Sequence, residues 1–188
     1  MLKPEDIHQR DLERQAFKLW WAGERAATFV LERRPAYCVC EVLFPSWWSQ
    51  LRVAWRGTAA WLASKVPGSP LKVFLYRRLG VKIGRRVYIA PDVVLDPLYP
   101  ELIELSDDAF LGYGCRIFTH EYTATQFRLG RVRVGPGSVI GGYAVVRCGV
   151  NIGAKATVGM MSYVNRDVLD GETAVGVPAR VLPEKEQG

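Results

Sequence analysis

The sequence predicts a mainly β protein, a parallel β-helix preceded by an α-helical N-terminal extension. Three observations support this prediction. From residue 83 onward an aliphatic residue recurs at every sixth position. A small residue, often glycine, directly follows most of these aliphatic residues. The part of the chain before residue 71 lacks this period and instead has the spacing of amphipathic helices.

The six-residue period is clearest between residues 134 and 164, where it runs without interruption. It fits neither an α-helix, at 3.6 residues per turn, nor a simple strand, at two. It fits a chain that forms a short strand, turns, and repeats this three times per coil, so that each strand pairs with the one about 18 positions further on. We expect the aliphatic residues to fill the interior: Ile83, Ile89, Leu95, Leu105, Leu111, Ile117, Val134, Ile140, Val146, Ile152, Val158 and Val164.

Two insertions interrupt the period, at residues 96–104 and 118–133. An insertion at the corner of a coil costs little stability, because loop entropy grows slowly with loop length. Functional residues are concentrated in such loops. The insertions therefore indicate where the chemistry lies, and the second one contains His120, one of only two histidines in the chain.

Three helices are predicted before the repeat. Residues 5–34 form an amphipathic pattern that Pro35 ends. Residues 46–66 form a second one with Ser46 as a candidate N-cap, and residues 71–79 form a short third one. The apolar stripe of the second helix comprises Trp48, Leu51, Trp55, Ala59, Leu62 and Val66.

The segment from Pro67 to Pro70 marks the boundary between the two parts of the chain. We therefore predict an α-helical extension over residues 1–70, a β-helix over residues 71–182 and a C-terminal tail over residues 183–188.

Charge divides the chain in a similar place. The net charge is +6; residues 1–78 carry 13 basic and 7 acidic residues, whereas residues 79–188 carry 12 of each. No acid lies between Glu41 and Asp92, where nine bases alternate with several tryptophans. This pattern predicts helices that cap the open end of the β-helix, or a peripheral contact of residues 46–66 with an anionic membrane surface, or both. Little beyond charge indicates nucleic acid, so no nucleic-acid partner is expected.

Four segments resemble the hexapeptide-repeat acyltransferases, and in particular the branch of polysaccharide, maltose and galactoside O-acetyltransferases. They are residues 79–96, 119–127, 132–168 and 176–182, in the order and spacing of that family. The resemblance implies a left-handed β-helix and a homotrimer with active sites between neighbouring subunits. It also implies acetyl-CoA as the co-substrate and a hydroxyl of a sugar, glycan or related small molecule as the acceptor.

The same resemblance implies roles for residues of the two insertions. His120 matches the general base, which takes the proton from the acceptor hydroxyl; imidazole suits this task because it changes protonation state near neutral pH. Glu121 is expected to orient the imidazole, or else to be a solvated loop acid. Asp96 matches an acid that contacts the acceptor, or else is a corner residue that accepts backbone N–H groups.

Acetyl-CoA is expected along the last coils. The glycine at position 142 matches a corner where the backbone approaches the pantetheine arm, and the polar and basic residues match positions near the nucleotide, where arginine suits phosphate. Met160 stands where the family usually has alanine and is expected to narrow the CoA channel, to shift the acyl donor, or to indicate a larger acyl group. The expected cofactor-binding residues are Gly142, Met160, Asn165, Arg166 and Arg180.

Composition narrows the other functions. Two histidines are too few for the three-histidine zinc site of a γ-class carbonic anhydrase, and the four cysteines indicate neither a metal nor disulfides. Residues 1–15 do not resemble a signal peptide, so the expected location is the cytoplasm, peripheral to a membrane at most. The alternative function is a non-catalytic trimeric scaffold whose N-terminal helices bind a partner protein or a membrane surface. The departure from the family at Met160 slightly favours that alternative, whereas the retained segments 119–122 and 176–180 argue against it. Arg147 and Cys148 also depart from the family, which usually has leucine and proline there.

Overall fold

The structure, a computed structural model, describes residues 26–30, 46–123 and 126–183. Within these ranges the protein is mainly β, with two α-helices, α1 (Trp47–Lys65) and α2 (Ser69–Leu79), and a 3-10 helix at Pro100–Leu102. The strands are short: β1 Ala26–Val30, β2 Lys82–Ile83, β3 Tyr88–Ile89, β4 Val94–Leu95, β5 Ile103–Leu105, β6 Phe110–Leu111, β7 Arg116–Ile117, β8 His120–Tyr122, β9 Gln126–Gly130, β10 Val132–Val134, β11 Val139–Ile140, β12 Val145–Val146, β13 Asn151–Ile152, β14 Thr157–Val158, β15 Tyr163–Val164, β16 Thr173–Gly176 and β17 Ala179–Val181.

Most strands after α2 belong to three parallel sheets. Their orders are β2-β5-β10-β13, β3-β6-β11-β14-β16 and β4-β7-β12-β15, with β17 joined antiparallel to β16. Successive strands enter the first, second and third sheet in turn, so the chain winds as a coil with three sides. The register stacks aliphatic residue on aliphatic residue: Leu105 pairs with Ile83 on one side and with Val134 on the other. The arrangement is the one that the six-residue period predicts.

The interior of the coil is a stack of buried aliphatic side chains. Leu111, Ile117 and Ile140 are fully buried, and Leu95 is nearly so. Burying one such side chain contributes about 1.5–3 kcal/mol, so the stack is the main source of stability. All the predicted interior residues are buried except Ile83, which is half-buried in β2, an end strand of the first sheet.

Glycine is needed where the corners of stacked coils meet. A Cβ built on Gly141 would lie 2.6 Å from the backbone nitrogen of Met160 and 2.7 Å from the carbonyl carbon of Gly159. These are backbone atoms of the next coil, which cannot move aside as the end of a side chain can. Gly141 therefore permits the close stacking of the coils.

We expect Gly141→Ala to lower the free energy of unfolding by about 2 kcal/mol or more, because the new methyl group forces adjacent coils apart. Gly57→Ala is the matched control, since Gly57 lies inside α1 and its added Cβ would meet nothing within 4 Å. That control should raise stability by about 0.5–1 kcal/mol through helix propensity. Urea unfolding of both variants measures the difference. Equal changes in the two variants would contradict this account of Gly141.

The two helices pack on the first coil. Residues Ala60, Ala63 and Tyr76 belong to the same buried cluster as the interior residues of the coil. The Tyr76 hydroxyl donates a hydrogen bond of 2.8 Å to the carbonyl oxygen of Val93. The α1 helix begins with a reciprocal capping box between Ser46 and the serine three residues later, which confirms Ser46 as the N-cap. The helices therefore cover one end of the coil, as the capping interpretation predicts.

The face of α1 that packs on the coil is not the apolar stripe. Trp48 and Trp55 are 67% and 71% exposed, whereas Ser49, Ala60 and Ala63 are buried. The prediction of a helix over residues 46–66 is confirmed, but its packing face is the opposite one. Small residues allow the helix axis to approach the coil closely, which bulky indoles would prevent. Neither described helix combines the length and the hydropathy needed to cross a membrane.

The helix predicted over residues 5–34 is wrong at residues 26–30. These residues form β1, which pairs antiparallel with β9 so that Ala26 opposes Gly130 and Val30 opposes Gln126. Threonine, phenylalanine and valine favour strands, and β9 offers them a hydrogen-bonding edge that a helical period cannot reveal. The N-terminal extension is therefore not wholly α-helical. The rest of the predicted helix lies outside the described residues, and the division of the chain at residue 70 stays a prediction.

Candidate active site

The two insertions meet at the end of the third sheet. Leu95 of β4 pairs with Ile117 of β7, so the residues that follow these strands are brought side by side. Asp96 is completely buried there. Its Oδ2 accepts hydrogen bonds from the backbone N–H and the hydroxyl of Thr119, both at 2.8 Å, and its Oδ1 accepts one from the backbone N–H of Leu98 at 2.9 Å. The carboxylate is thus held rigidly between the two insertions.

His120 supplies the fourth hydrogen-bond donor to this carboxylate. Its Nδ1 lies 2.5 Å from Oδ2 of Asp96, and its side chain is 16% exposed. Because a carboxylate only accepts hydrogen bonds, this contact assigns the donor role to Nδ1–H and leaves Nε2 of the neutral ring as an acceptor. The geometry therefore gives one imidazole with a fixed tautomer and a free basic nitrogen.

The charge of Asp96 is maintained in spite of its burial. Burial alone would raise its pKa, but the hydrogen bond and charge of His120, together with the two hydrogen bonds from Thr119, lower the pKa below the ordinary value. Asp96 is therefore ionised at neutral pH. A buried carboxylate in this position stabilises the imidazolium that forms when His120 takes up a proton.

Aromatic rings surround the imidazole. The ring centroids of Tyr99 and Tyr122 lie 5.9 and 5.1 Å from that of His120, and Tyr122 stacks on the buried Phe127 at 4.8 Å. Tyr99 belongs to the first insertion, whereas the other two belong to the second. Packing of this kind restricts rotation of the imidazole, so its orientation is set by rings as well as by Asp96.

Glu121 faces away from this arrangement. Adjacent residues of a strand point to opposite sides, and the Glu121 carboxylate forms a bidentate ion pair with Arg147 at 2.6 and 2.7 Å. The expectation that Glu121 orients the imidazole is therefore corrected, because Asp96 does so. Asp96 in turn does not extend from the corner toward an acceptor: its side chain is buried and bonded to His120, and it also accepts the backbone N–H groups that the corner interpretation anticipates.

The residues expected to bind acetyl-CoA are divided between the third sheet, with the corners that lead into it, and β17 at the edge of the second sheet. Gly142 and Met160 lie on stacked corners that lead into the third sheet, joined by the hydrogen bond from the backbone N–H of Met161 to the carbonyl oxygen of Gly142 at 2.9 Å. The Met160 side chain is 71% exposed, and its Cε lies 3.5 Å from the position of a Cβ on Gly142. The other three residues lie beyond the corner: Asn165 and Arg166 directly after β15, and Arg180 in β17.

Two side chains of the site were not assigned a role by the sequence. Arg147 departs from the family pattern, and only the stacking of β12 on β7 reveals that it pairs with an acid 26 positions away. Tyr99 lies in the first insertion, and it approaches His120 only because the pairing of β4 with β7 brings the two insertions side by side. In the sequence, Arg147 could have been recognised as a basic residue able to neutralise Glu121, and Tyr99 as an aromatic residue in a loop. In the described ranges no group of three or more His, Cys, Asp or Glu could hold a metal ion.

Comparison with known proteins identifies the class. The chain is 34% identical over 127 residues to "Putative acetyltransferase YvoF" of Bacillus subtilis, an alignment that covers 67% of this chain and 74% of the relative. No protein-family model matches the chain. With its six-residue repeat and its three-sided coil, the chain belongs to the hexapeptide-repeat acetyltransferases, and it is an acetyltransferase.

Solved structures support the fold. The hexapeptide-repeat acetyltransferase VCA0836 of Vibrio cholerae has a TM-score of 0.61 at 21% identity, covering 73% of this chain and 93% of that one. A galactoside acetyltransferase in complex with coenzyme A has a TM-score of 0.60 at 16% identity, covering 91% of both chains. At such identities the likeness concerns the architecture of the chain.

Proposed function

We propose that the protein transfers an acetyl group from acetyl-CoA to a hydroxyl of a sugar, a glycan or a related small molecule, with His120 as the general base. The observation that carries the proposal is the contact between Nδ1 of His120 and the buried carboxylate of Asp96. It leaves Nε2 as a proton acceptor at the junction of the two insertions. The proposed fold of the coil is the left-handed β-helix of the family.

In the proposed reaction the thioester bond between the acetyl group and CoA is broken and an ester bond to the acceptor oxygen is formed. Nε2 of His120 takes the proton from the acceptor hydroxyl while the oxygen attacks the carbonyl carbon of the thioester. The tetrahedral intermediate then collapses, the carbon–sulfur bond breaks, and the CoA sulfur leaves with the proton that His120 carried. Asp96 has the role of a positioning residue, which holds the ring and stabilises its protonated form between the two steps. This role replaces the acceptor contact that the resemblance implied.

The proposed acetyl-CoA site consists of Gly142, Met160, Asn165, Arg166 and Arg180. Gly142 offers a corner without a side chain beside the exposed thioether of Met160. The Oδ1 of Asn165 is a buried acceptor without a hydrogen-bond partner among the described residues, and a ligand N–H or hydroxyl would satisfy it. Arg166 and Arg180 are exposed and able to bind phosphate.

We propose that the protein acts as a homotrimer and that it is located in the cytoplasm. The second sheet supports association, since its outer face presents a row of exposed apolar residues. Tyr88 stacks on Phe110 at 4.8 Å, and Val139 follows in the next coil. These three residues are 44%, 42% and 37% exposed. A contact between subunits through this face would bury the row.

Acetyl-CoA binding and transfer test the proposal, and Met160 supplies the sharpest variant. We expect the protein to bind acetyl-CoA and to release free CoA when hydroxylated sugars are added. Met160→Ala should lower the apparent KM for acetyl-CoA about threefold to tenfold, because the channel widens beside Gly142. Met161→Ala is the matched control, since Met161 is also 71% exposed and directly adjacent. Titration calorimetry and thiol release measure both effects.

The outcomes separate the alternatives. If acetyl-CoA neither binds nor reacts, the protein is a scaffold of the kind described above and the proposal is wrong. If acetyl-CoA binds but Met160→Ala and Met161→Ala behave alike, Met160 does not line the channel.

A further inference from the structure

One side of α1 presents large apolar side chains to solvent. At 3.6 residues per turn these side chains lie opposite Ser49, Ala60 and Ala63, which pack on the coil. An exposed apolar face of this size marks an interaction surface. We call it the tryptophan face; its members are Trp47, Trp48, Leu51, Trp55, Trp61 and Leu62, which are between 51% and 71% exposed.

The two helices carry bases and no acids of their own, although two bases of α1, Arg56 and Lys65, form ion pairs with Glu101 and Asp92 of the coil. The nearest acids along the chain are Glu41 and Asp92. Arg52 lies on α1 and is exposed; Arg78 of α2 is exposed beside Phe74, with its guanidinium 5.2 Å from the centre of that ring. A second copy of this chain docking face to face would bring like charges together, which disfavours self-association. A surface complementary to the tryptophan face would have an apolar interior for the indoles and negative charges that contact the basic residues.

An anionic lipid bilayer has this composition. Tryptophan prefers the boundary between headgroups and acyl chains, and basic residues bind anionic headgroups. The α1 helix is not long and apolar enough to span a bilayer. A helix with one apolar face and basic flanks lies in the plane of the membrane.

The packed side of α1, opposite the tryptophan face, is joined to the candidate active site through a short series of hydrogen bonds. Arg56 of α1 donates from Nη1 to the carbonyl oxygen of Leu98 at 3.0 Å. The backbone N–H of Leu98 donates to Asp96, which contacts His120. A surface bound to the tryptophan face would therefore lie about one helix diameter, roughly 10–12 Å, from the insertion that helps to form the site.

We propose that α1 docks on the surface of an anionic lipid bilayer through the tryptophan face, and that the acceptor hydroxyl is presented at that surface, on a membrane-bound amphiphile. The second part of the proposal rests on the proposed acetyltransferase function. The first part does not, because it concerns a surface that contains none of the proposed catalytic or cofactor-binding residues.

Sedimentation with vesicles tests the docking. The full chain should sediment with vesicles of phosphatidylglycerol and phosphatidylcholine in equal amounts, and remain in solution with phosphatidylcholine alone. Added salt should weaken binding, because it screens the basic residues. Tryptophan fluorescence should shift to shorter wavelength on binding. Protein that stays in solution with both kinds of vesicle would overturn the proposal, and so would equal binding to both.

Replacing two indoles identifies the face. The double variant Trp48→Ser, Trp55→Ser should lower vesicle binding at least about tenfold, since two exposed indoles no longer enter the lipid. The matched control is Leu169→Ser, which removes a 65% exposed apolar side chain from the coil and should bind as the unaltered chain does. Equal losses in the two variants would contradict the assignment. A change in oligomeric state in the double variant, measured by sedimentation velocity, would show that a second copy covers the face, and would also overturn it.

Two further measurements separate this proposal from the proposed function. His120→Ala should bind vesicles as the unaltered chain does, since His120 lies outside the tryptophan face. The rate of transfer to a hydroxyl on a vesicle-anchored glycolipid should fall in the Trp48→Ser, Trp55→Ser variant, while transfer to a soluble sugar stays unchanged. Vesicle binding without any acetyl transfer would leave the docking intact and contradict the function. Equal loss of transfer to both acceptors would contradict presentation of the acceptor at the membrane.

Discussion

Replacing His120 by asparagine should lower kcat at least about a hundredfold, which is the usual contribution of a general base. Asparagine keeps an N–H donor for Oδ2 of Asp96, so the buried carboxylate retains all its hydrogen-bonding partners. The thermal midpoint should therefore stay close to that of the unaltered chain. His120→Ala should lose as much activity but more stability, because it leaves the Asp96 carboxylate with one partner fewer.

The neighbouring residue provides the control for this prediction. Glu121→Gln should leave turnover close to normal, because Glu121 pairs with Arg147 on the opposite side of β8. Thiol release from acetyl-CoA measures turnover, and thermal unfolding measures stability. Full activity in His120→Asn would exclude His120 as the base. Equal loss in Glu121→Gln would mean that the ion pair with Arg147 takes part in the reaction.

Asp96→Asn is expected to lower kcat on the order of a hundredfold, with little change in the KM for the acceptor. The amide has the shape of the carboxylate but lacks the charge that stabilises the imidazolium during proton transfer. If Asp96 instead contacts the acceptor, as the family resemblance implied, the KM for the acceptor should rise and kcat should change less. Steady-state kinetics with both substrates varied distinguish the two roles.

The Asp96 carboxylate also makes the free energy of unfolding of the unaltered chain depend on pH, with a sign that follows from its lowered pKa. The folded-state pKa of Asp96 is lowered, so the unfolded chain binds more protons as the pH falls through the interval below the ordinary value of about 4. The stabilisation by this group is therefore present above about pH 4 and is lost as the pH falls below it. Asp96→Asn should flatten this part of the stability profile. An unchanged acid profile would mean that Asp96 is not an ionised buried group.

The repeat could be predicted in detail because it depends on local chemistry. Each short strand contributes one interior aliphatic residue, and a glycine permits the next turn, so the period of six reports the coil directly. The bounds of α1 and its Ser46 cap were predictable for the same reason, since capping and helical spacing involve residues close in sequence. His120 was identified by a loop motif whose residues are contiguous.

Contacts between distant segments could not be predicted in this way. Glu121 follows His120 directly in sequence and was therefore expected to orient it, but adjacent side chains of a strand point to opposite sides. Asp96 reaches His120 because β4 and β7 stack in register, 22 positions apart at Leu95 and Ile117. The strand at residues 26–30 likewise forms against β9, whose edge exists only after the second insertion has folded.

The sequence by itself therefore determined the coil, its interior and the loop that carries the proposed base, because every sixth residue of a short repeat packs in the interior. Only the tertiary structure decided which carboxylate holds His120, which residue balances Glu121, and which face of α1 remains exposed. These three features depend on the register between coils and on how closely a helix of small residues can approach them. A one-dimensional pattern carries neither quantity.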